Sequence, residues 1–83
     1  KQVLRPDINR SDVIFRATPD GAIRFGLNGV KNVGEQAMKI LVEERNRGGD
    51  YKSIKDMLHR LPMGTVNRKA FENLIKAGAF DSF

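Results

Sequence analysis

Apolar residues follow two different periods along the chain. Over residues 12 to 27 the order is Asp12-Val13-Ile14-Phe15-Arg16-Ala17, then Thr18-Pro19-Asp20-Gly21, then Ala22-Ile23-Arg24-Phe25-Gly26-Leu27. Both flanks are rich in β-branched and aromatic residues, and Pro-Asp-Gly is turn chemistry, so the stretch predicts a β-hairpin with strands near 13–17 and 22–26. Pro19 presets φ at the first corner, and Gly21 can adopt the positive φ that closes the turn. Val13 and Phe15 should share one face with Ile23 and Phe25, and Arg16 and Arg24 the other. A lone two-stranded hairpin is marginal in water, so its apolar face is expected to rest on the helices that follow. Upstream, residues 1 to 12 carry Pro6, Asp7, Asn9 and Ser11 and read as an ordered loop.

From Val33 onward the period lengthens to nearly four. Val33, Ala37, Ile40, Leu41 and Glu44 fall on one helical stripe, with Glu44 at its polar edge. Gly34 stands at the entrance and Gly48-Gly49 at the exit, which predicts a helix near 34–47. A second helix is expected near 53–61, with Ser53 as N-cap, Asp56 three residues on, Ile54, Met57, Leu58 and Leu61 buried, and Pro62 as the stop. A third is expected near 67–77, burying Ala70, Phe71, Leu74 and Ile75 and ending at Gly78. A short helical turn near 28–31 completes the scheme. The fold class is mainly α with a short N-terminal β-hairpin: one domain over residues 1–83, loop and hairpin in 1–27, and about four short helices in 28–83.

The 83 residues suit one small domain, and no apolar run approaches the ~20 residues needed to cross a bilayer. The chain opens in mid-pattern at Lys1-Gln2-Val3 and reads as a segment of something larger. Cysteine is absent and His59 is the single histidine, so disulfides and thiolate metal sites are excluded, and His59 reads as a solvated helix residue. Fifteen Lys and Arg against ten Asp and Glu give a formal charge of +5, which favours polyanionic partners. The excess is spread without a block of like charge, which argues against a disordered basic tail.

The most informative chemistry lies in Gly29-Val30-Lys31-Asn32-Val33-Gly34-Glu35-Gln36-Ala37-Met38-Lys39-Ile40. A tight turn enters an amphipathic helix there, leaving the first backbone N–H groups without internal partners. Those donors and the positive end of the helix dipole make an anion site. Gly34 removes a Cβ that would hold a phosphate off, and Lys31 and Lys39 can add charge. Asn32, Val33, Gly34 and Ala37 match the helix-hairpin-helix pattern of a small residue, an apolar residue and glycine before a helix, with alanine three residues later. Asn32 stands where that pattern usually has its first glycine, and asparagine tolerates left-handed φ. Glu35 suits the dipole but repels phosphate, so the hairpin should bind weakly by itself. The same stretch can also be read as a helix entrance that merely turns a corner in the core.

Pro6-Asp7-Ile8-Asn9-x-Ser11, Ile23-Arg24-Phe25-Gly26-Leu27, Val30-Lys31-Asn32-Val33-Gly34 and Leu74-Ile75-Lys76-Ala77-Gly78-Ala79-Phe80-Asp81 occur in that order. As a set they closely resemble the segment that follows the fingers in the α subunits of bacterial DNA polymerase III, which are C-family polymerases. The resemblance covers essentially the whole chain. It implies helix-hairpin-helix elements that grip duplex DNA by its backbone, away from the active site, and so a non-catalytic segment of a bacterial, cytoplasmic replicative polymerase. Leu74 to Asp81 looks like the first helix and hairpin of a second such element. The implied partners are double-stranded DNA, the other polymerase domains and, through them, the replicative holoenzyme, with no membrane. No cofactor is expected in this segment. The magnesium of nucleotidyl transfer belongs to palm-domain aspartates elsewhere in such enzymes.

Within this chain Asp7, Asp12, Asp20, Asp50, Asp56 and Asp81 read as caps and solvated charges, and no phosphate loop or catalytic triad is apparent. Lys31, Asn32, Val33, Gly34, Glu35, Gln36 and Lys39 are therefore the candidate DNA contacts. Arg68 and Lys69 join them, because cations at a helix start oppose the dipole and invite a functional reason. Arg45, Arg47, Lys52, Lys55 and Arg60 each read as solvated side chains, and Lys76 as a cation suited to a helix end. The rival reading is a protein-interaction or spacer domain that touches no nucleic acid.

Overall fold

The computed structural model describes residues 2–83. Three short strands, β1 (Val3–Leu4), β2 (Arg16–Ala17) and β3 (Ile23–Arg24), precede a 3-10 turn at Leu27–Gly29 and three helices, α1 (Glu35–Gly48), α2 (Ile54–Arg60) and α3 (Arg68–Lys76). The mainly helical class and the helix positions agree with the pattern of the sequence, with the fourth helical element reduced to the 3-10 turn.

The N-terminal region differs from expectation in two ways. Residues 1 to 12 are not all loop: β1 pairs in parallel with β3, Val3 opposite Ile23 and Leu4 opposite Arg24. The hairpin is also shorter than its sequence pattern, with Arg16 opposite Arg24 and Ala17 opposite Ile23. Its turn is as anticipated, Gly21 lying at φ 89°. The ladder stops because its next hydrogen bonds are taken elsewhere. Ser11 Oγ donates to the Phe25 carbonyl at 2.7 Å, while Leu27 and Asn28 donate their N–H groups to the carbonyls of Asp12 and Val13. At that crossing a Cβ on Gly26 would lie 2.3 Å from the Ile14 carbonyl carbon, so only glycine fits. Phe15 and Phe25 do meet, with ring centroids 4.3 Å apart. They lie against Gly29 of the 3-10 turn, so the hairpin's aromatic pair rests there rather than on a long helix.

The core forms where Ile8, Leu27, Val30 and Val33 meet Met38, Leu41 and Val42 of α1, Tyr51, Met57 of α2, and Leu74, Ala79 and Phe80 around the end of α3. The buried stripe of α1 is therefore centred on Met38, Leu41 and Val42; of the expected stripe Val33 and Leu41 are buried, Ala37 and Ile40 are partly buried at its flank, and Met38 and Val42 take the centre. Five of the six residues from Ala37 to Val42 are apolar, so periodicity alone leaves the centre of that stripe open. Arg45, one turn on from Leu41 and Val42, continues the buried side. Its Nη1 donates to the carbonyls of Ile8 at 3.1 Å and Ser11 at 2.5 Å. Leu58 and Ile75, expected in the core, are about half exposed, as α2 and α3 turn only Met57, and Ala70 and Leu74, fully inward.

Helix ends carry the caps that their sequences imply. Ser53 Oγ accepts the Asp56 N–H at 3.0 Å, and Asp56 Oδ2 accepts the Lys52 N–H at 3.0 Å, so the return bond goes to the residue before the N-cap rather than to the N-cap itself. Asn67 Oδ1 accepts the Ala70 N–H at 2.9 Å. At the end of α3, Gly78 sits at φ 83°, its N–H bonds to Ile75 O, and the Ala79 N–H bonds to Leu74 O. This is a Schellman closure with both outer residues, Leu74 and Ala79, buried. Ile8 N–H then donates to Ala79 O at 2.9 Å, tying the N-terminal segment to this second turn.

Arg60 is the principal polar fastening among the helices. Its Nε donates to Glu44 Oε2 at 3.0 Å, and its Nη1 to Asp56 Oδ2 and Asp50 O, each at 3.2 Å. Nη2 donates to Glu44 O at 3.2 Å and Gly49 O at 2.7 Å. The guanidinium also lies 4.4 Å from the centre of the buried Tyr51 ring. Hydrogen bonds from Arg47 and then Arg60 hold the Glu44 carboxyl below its ordinary pKa. Asp56 is lowered by the Lys52 backbone N–H and by Arg60. Arg45 and Arg60, expected to be solvated, are thus structural clamps.

Candidate nucleic-acid interface

Between the 3-10 turn and α1 the chain alternates anchored and free residues. Val30 and Val33 are buried, while Lys31, Asn32, Gly34, Glu35 and Gln36 are exposed. The two valines pin the turn to the core, so Lys31 and Asn32 between them and Gly34, Glu35 and Gln36 just after them face outward. Asn32 adopts φ 63°, the left-handed conformation that its short polar side chain tolerates. Gly34 is the N-cap of α1 at φ 79° and ψ 124°, and no side chain caps this helix. The first helical bond is from Met38 N–H to Gly34 O, so the N–H groups of Glu35, Gln36 and Ala37 have no acceptor among the described residues. A Cβ built on Gly34 would meet only the Ala37 Cβ at 3.9 Å, so the approach to these donors is open.

Electrostatics refine that arrangement. Glu35 is drawn along the helix flank, where it pairs with Lys39 at 3.3 Å and accepts from Asn28 Nδ2 at 3.4 Å. Both partners of the ion pair are more than half exposed, so it contributes little stability and leaves Lys39 able to swing toward an anion. Lys31 forms no ion pair among the described residues.

Lys31, Asn32, Gly34, Glu35, Gln36 and Lys39 therefore lie together, with Val33 beneath them as an anchor. Arg68 and Lys69 do not join this group. They start α3, and the far end of that helix, ~12 Å away along its axis, is the end that meets the hairpin. Arg68 instead pairs with Glu72 at 3.6 Å while remaining almost fully exposed. Lys76, set aside on sequence grounds, lies near Lys31: the two border a shallow, mainly apolar depression of about 350 Å³ whose walls include Pro6, Phe25, Val30, Asn73 and Ala77. A lysine at a helix C-terminus has a sufficient electrostatic reason to be there, which hid this proximity.

The aspartates are all engaged locally. Asp7 Oδ1 accepts the Asn9 N–H, Asp12 pairs with Arg16, and Asp20 accepts from Thr18. Asp50 pairs with Arg10, Asp56 with Arg60, and Asp81 with Arg5. Among the described residues no three His, Cys, Asp or Glu side chains are grouped to hold a metal ion, and no helix is long and apolar enough to cross a membrane.

The family model for the helix-hairpin-helix motif matches residues 1–83. A DNA polymerase III subunit alpha of Thermus aquaticus is 53% identical over 81 residues, 98% of this chain and 7% of that protein. The corresponding subunit of Deinococcus radiodurans is 49% identical over 81 residues, 98% of this chain and 6% of that protein. That of Borreliella burgdorferi is 45% identical over 80 residues, 96% of this chain and 7% of that protein. The chain thus spans a small part of these relatives' length, within proteins named as polymerase subunits. It belongs to the helix-hairpin-helix family and corresponds over nearly its whole length to one small segment of bacterial DNA polymerase III α subunits.

Proposed function

We propose that this domain binds double-stranded DNA through its phosphates, without reading sequence, and so steadies primer–template on a bacterial replicative polymerase. The carrying observation is the uncapped, open N-terminus of α1: free N–H donors beside an exposed glycine, flanked by Lys31 and Lys39. Backbone donors and lysines reach phosphate oxygens but cannot distinguish base edges. Of Gly34, Glu35 and Gln36, which open the helix, only Gln36 has amide geometry suited to a base, too little for sequence readout. The fit to polymerase relatives supplies the context, with the cytoplasm as the place of action and the rest of the polymerase and its holoenzyme as partners. Nucleotidyl transfer and its magnesium fall to other parts of such an enzyme.

Amide chemical shifts during titration with a short duplex test this reading. Residues 31 to 39 should shift together, and scrambled duplexes of equal length should bind within about threefold of one another, under ~1 kcal/mol. Lys31→Glu should weaken binding about tenfold, or ~1.4 kcal/mol. A duplex that binds while leaving residues 31 to 39 unmoved would refute the assignment. The apolar depression beside Lys31 favours a second reading, a docking face for a neighbouring polymerase domain. Protection of Phe25 and Ala77 by that domain, with no response to duplex, would establish it instead.

A further inference from the structure

Beside the small sheet lies a second concentration of positive charge. Arg10, Arg16, Arg24 and Arg45 line one cleft of about 390 Å³ together with Asp12, Ala17, Thr18 and Pro19. Four guanidinium groups thus face one carboxylate. Asp12 pairs with Arg16 at 3.1 Å, and Arg10 reaches out to Asp50 at 3.3 Å. Arg45 spends Nη1 on two backbone carbonyls, and Arg24 Nη1 donates to Arg5 O at 3.0 Å. Arg24 and Arg45 have no carboxylate partner among the described residues. Two features are costly as they stand. Arg16 and Arg24 are direct cross-strand neighbours, a like-charge placement that opposes pairing of the strands. Arg24 Nε is shielded from water with no hydrogen-bond acceptor, and a charged donor so placed ordinarily has a partner.

We propose that this cleft is a phosphate site, separate from the helix-hairpin-helix turn, in which a phosphate oxyanion lies between Arg16 and Arg24 and, as the Arg24 guanidinium turns out of its covered position, accepts from Arg24 Nε. One oxyanion would satisfy the orphaned donor and relieve the repulsion between the two arginines. Guanidinium forks match the oxygen spacing of a phosphate, which makes that class of anion the natural ligand. A DNA backbone or a free phosphate can supply it.

The test follows the arginine Nε–Hε signals of the 83-residue chain by NMR at fixed ionic strength, adding inorganic phosphate, a short duplex, or sodium acetate. The Arg24 Nε–Hε signal should shift saturably with phosphate, and the double variant Arg16→Gln/Arg24→Gln should bind phosphate about fivefold or more weakly. Its melting temperature should be equal or higher, because the repulsion has gone. A shift with duplex that phosphate competes away identifies the DNA backbone as the source, and a shift with phosphate alone identifies the free ion. Either result is read at Arg24, independently of the amides at residues 31 to 39. No saturable shift in the unsubstituted chain would overturn the proposal. An equal response to acetate would also overturn it, pointing to an acidic protein segment.

Discussion

Replacing Arg60 by methionine should be among the more damaging single side-chain changes in this domain. Methionine keeps much of the apolar stem but removes every N–H donor, taking this partner from Glu44 Oε2 and three backbone carbonyls and leaving Asp56 Oδ2 with the Lys52 N–H alone. Arg60 and Glu44 are mostly covered, their side chains 19% and 14% exposed. The pair therefore lies between a surface ion pair, worth ~0–1 kcal/mol, and a fully buried one, whose one-sided removal costs ~3–5 kcal/mol. Glu44 retains Arg47 at 2.5 Å as a second partner, which lowers the penalty. The expected loss is ~2–3 kcal/mol, a large share of the stability of so small a domain. Urea unfolding of Arg60→Met and Glu44→Gln, singly and together, would measure it, with a coupling energy of ~1–2 kcal/mol expected from the cycle. The sign of the pH dependence is fixed as well. Glu44 and Asp56 have folded-state pKa values below their ordinary 4.5 and 3.8, so their contribution is present above those values and is lost as pH falls through the lowered ones. The gap between the parent and Arg60→Met should therefore narrow in acid without vanishing, because the bonds to three backbone carbonyls do not titrate. A loss below ~0.5 kcal/mol at neutral pH, or a gap that persists unchanged in acid, would refute this account of the clamp.

Other perturbations probe the core and the hairpin. Tyr51→Phe removes the hydroxyl that donates to Leu41 O at 2.7 Å and should cost ~1–2 kcal/mol in urea unfolding. Burial, chiefly, pushes the Tyr51 pKa up to about 12 from 10.0. The unfolded chain loses its phenolic proton first, so this contribution fades as pH rises from 10 toward 12 and should be missing from the phenylalanine variant's pH curve. Gly26→Ala forces a Cβ into the Ile14 backbone and should cost ~3 kcal/mol or more, seen as a collapsed thermal midpoint. Gly34→Ala meets no neighbour closer than 3.9 Å but holds an unfavourable φ of 79°. It should lose ~1–3 kcal/mol, fold at low temperature, and bind duplex more weakly; a folded variant with unchanged affinity would remove this turn from the interface.

What the sequence disclosed depended on how local the cause was. The helix positions, both N-caps, and the turns at Gly21, Gly49 and Gly78 are set by neighbours within a few residues, so periodicity and cap chemistry revealed them. The left-handed Asn32 and the open Gly34 were legible for the same reason. Strand β1 was not, because Val3–Leu4 is too short to show alternation and pairs with residues about twenty positions away. Ser11 reads as a turn former, yet it is fully buried, accepting the Asp7 N–H and capping the Phe25 carbonyl. Arg45 and Arg60 look like solvated charges until the N-terminal segment packs on Arg45 and the end of α1 packs on Arg60. Tyr51 sits between helices outside any periodic run, so only the fold shows that it is core. Lys76 meets Lys31 through tertiary packing that composition does not encode, whereas the meeting of Arg16 and Arg24 followed from the alternation of the hairpin.

The central claim, sequence-independent grip on duplex phosphates by the α1 entrance, is tested most directly by measuring duplex affinity across a salt series. Neutralising ~2–4 phosphates predicts a slope of log K against log salt of about −2 to −4, with affinities no tighter than the ~10⁻⁴–10⁻⁶ M of non-specific binding. That slope should become shallower by about one when Lys31 is replaced by glutamine. A flat salt series, or one duplex preferred about a hundredfold over its scrambled counterpart, ~2.7 kcal/mol, would contradict it.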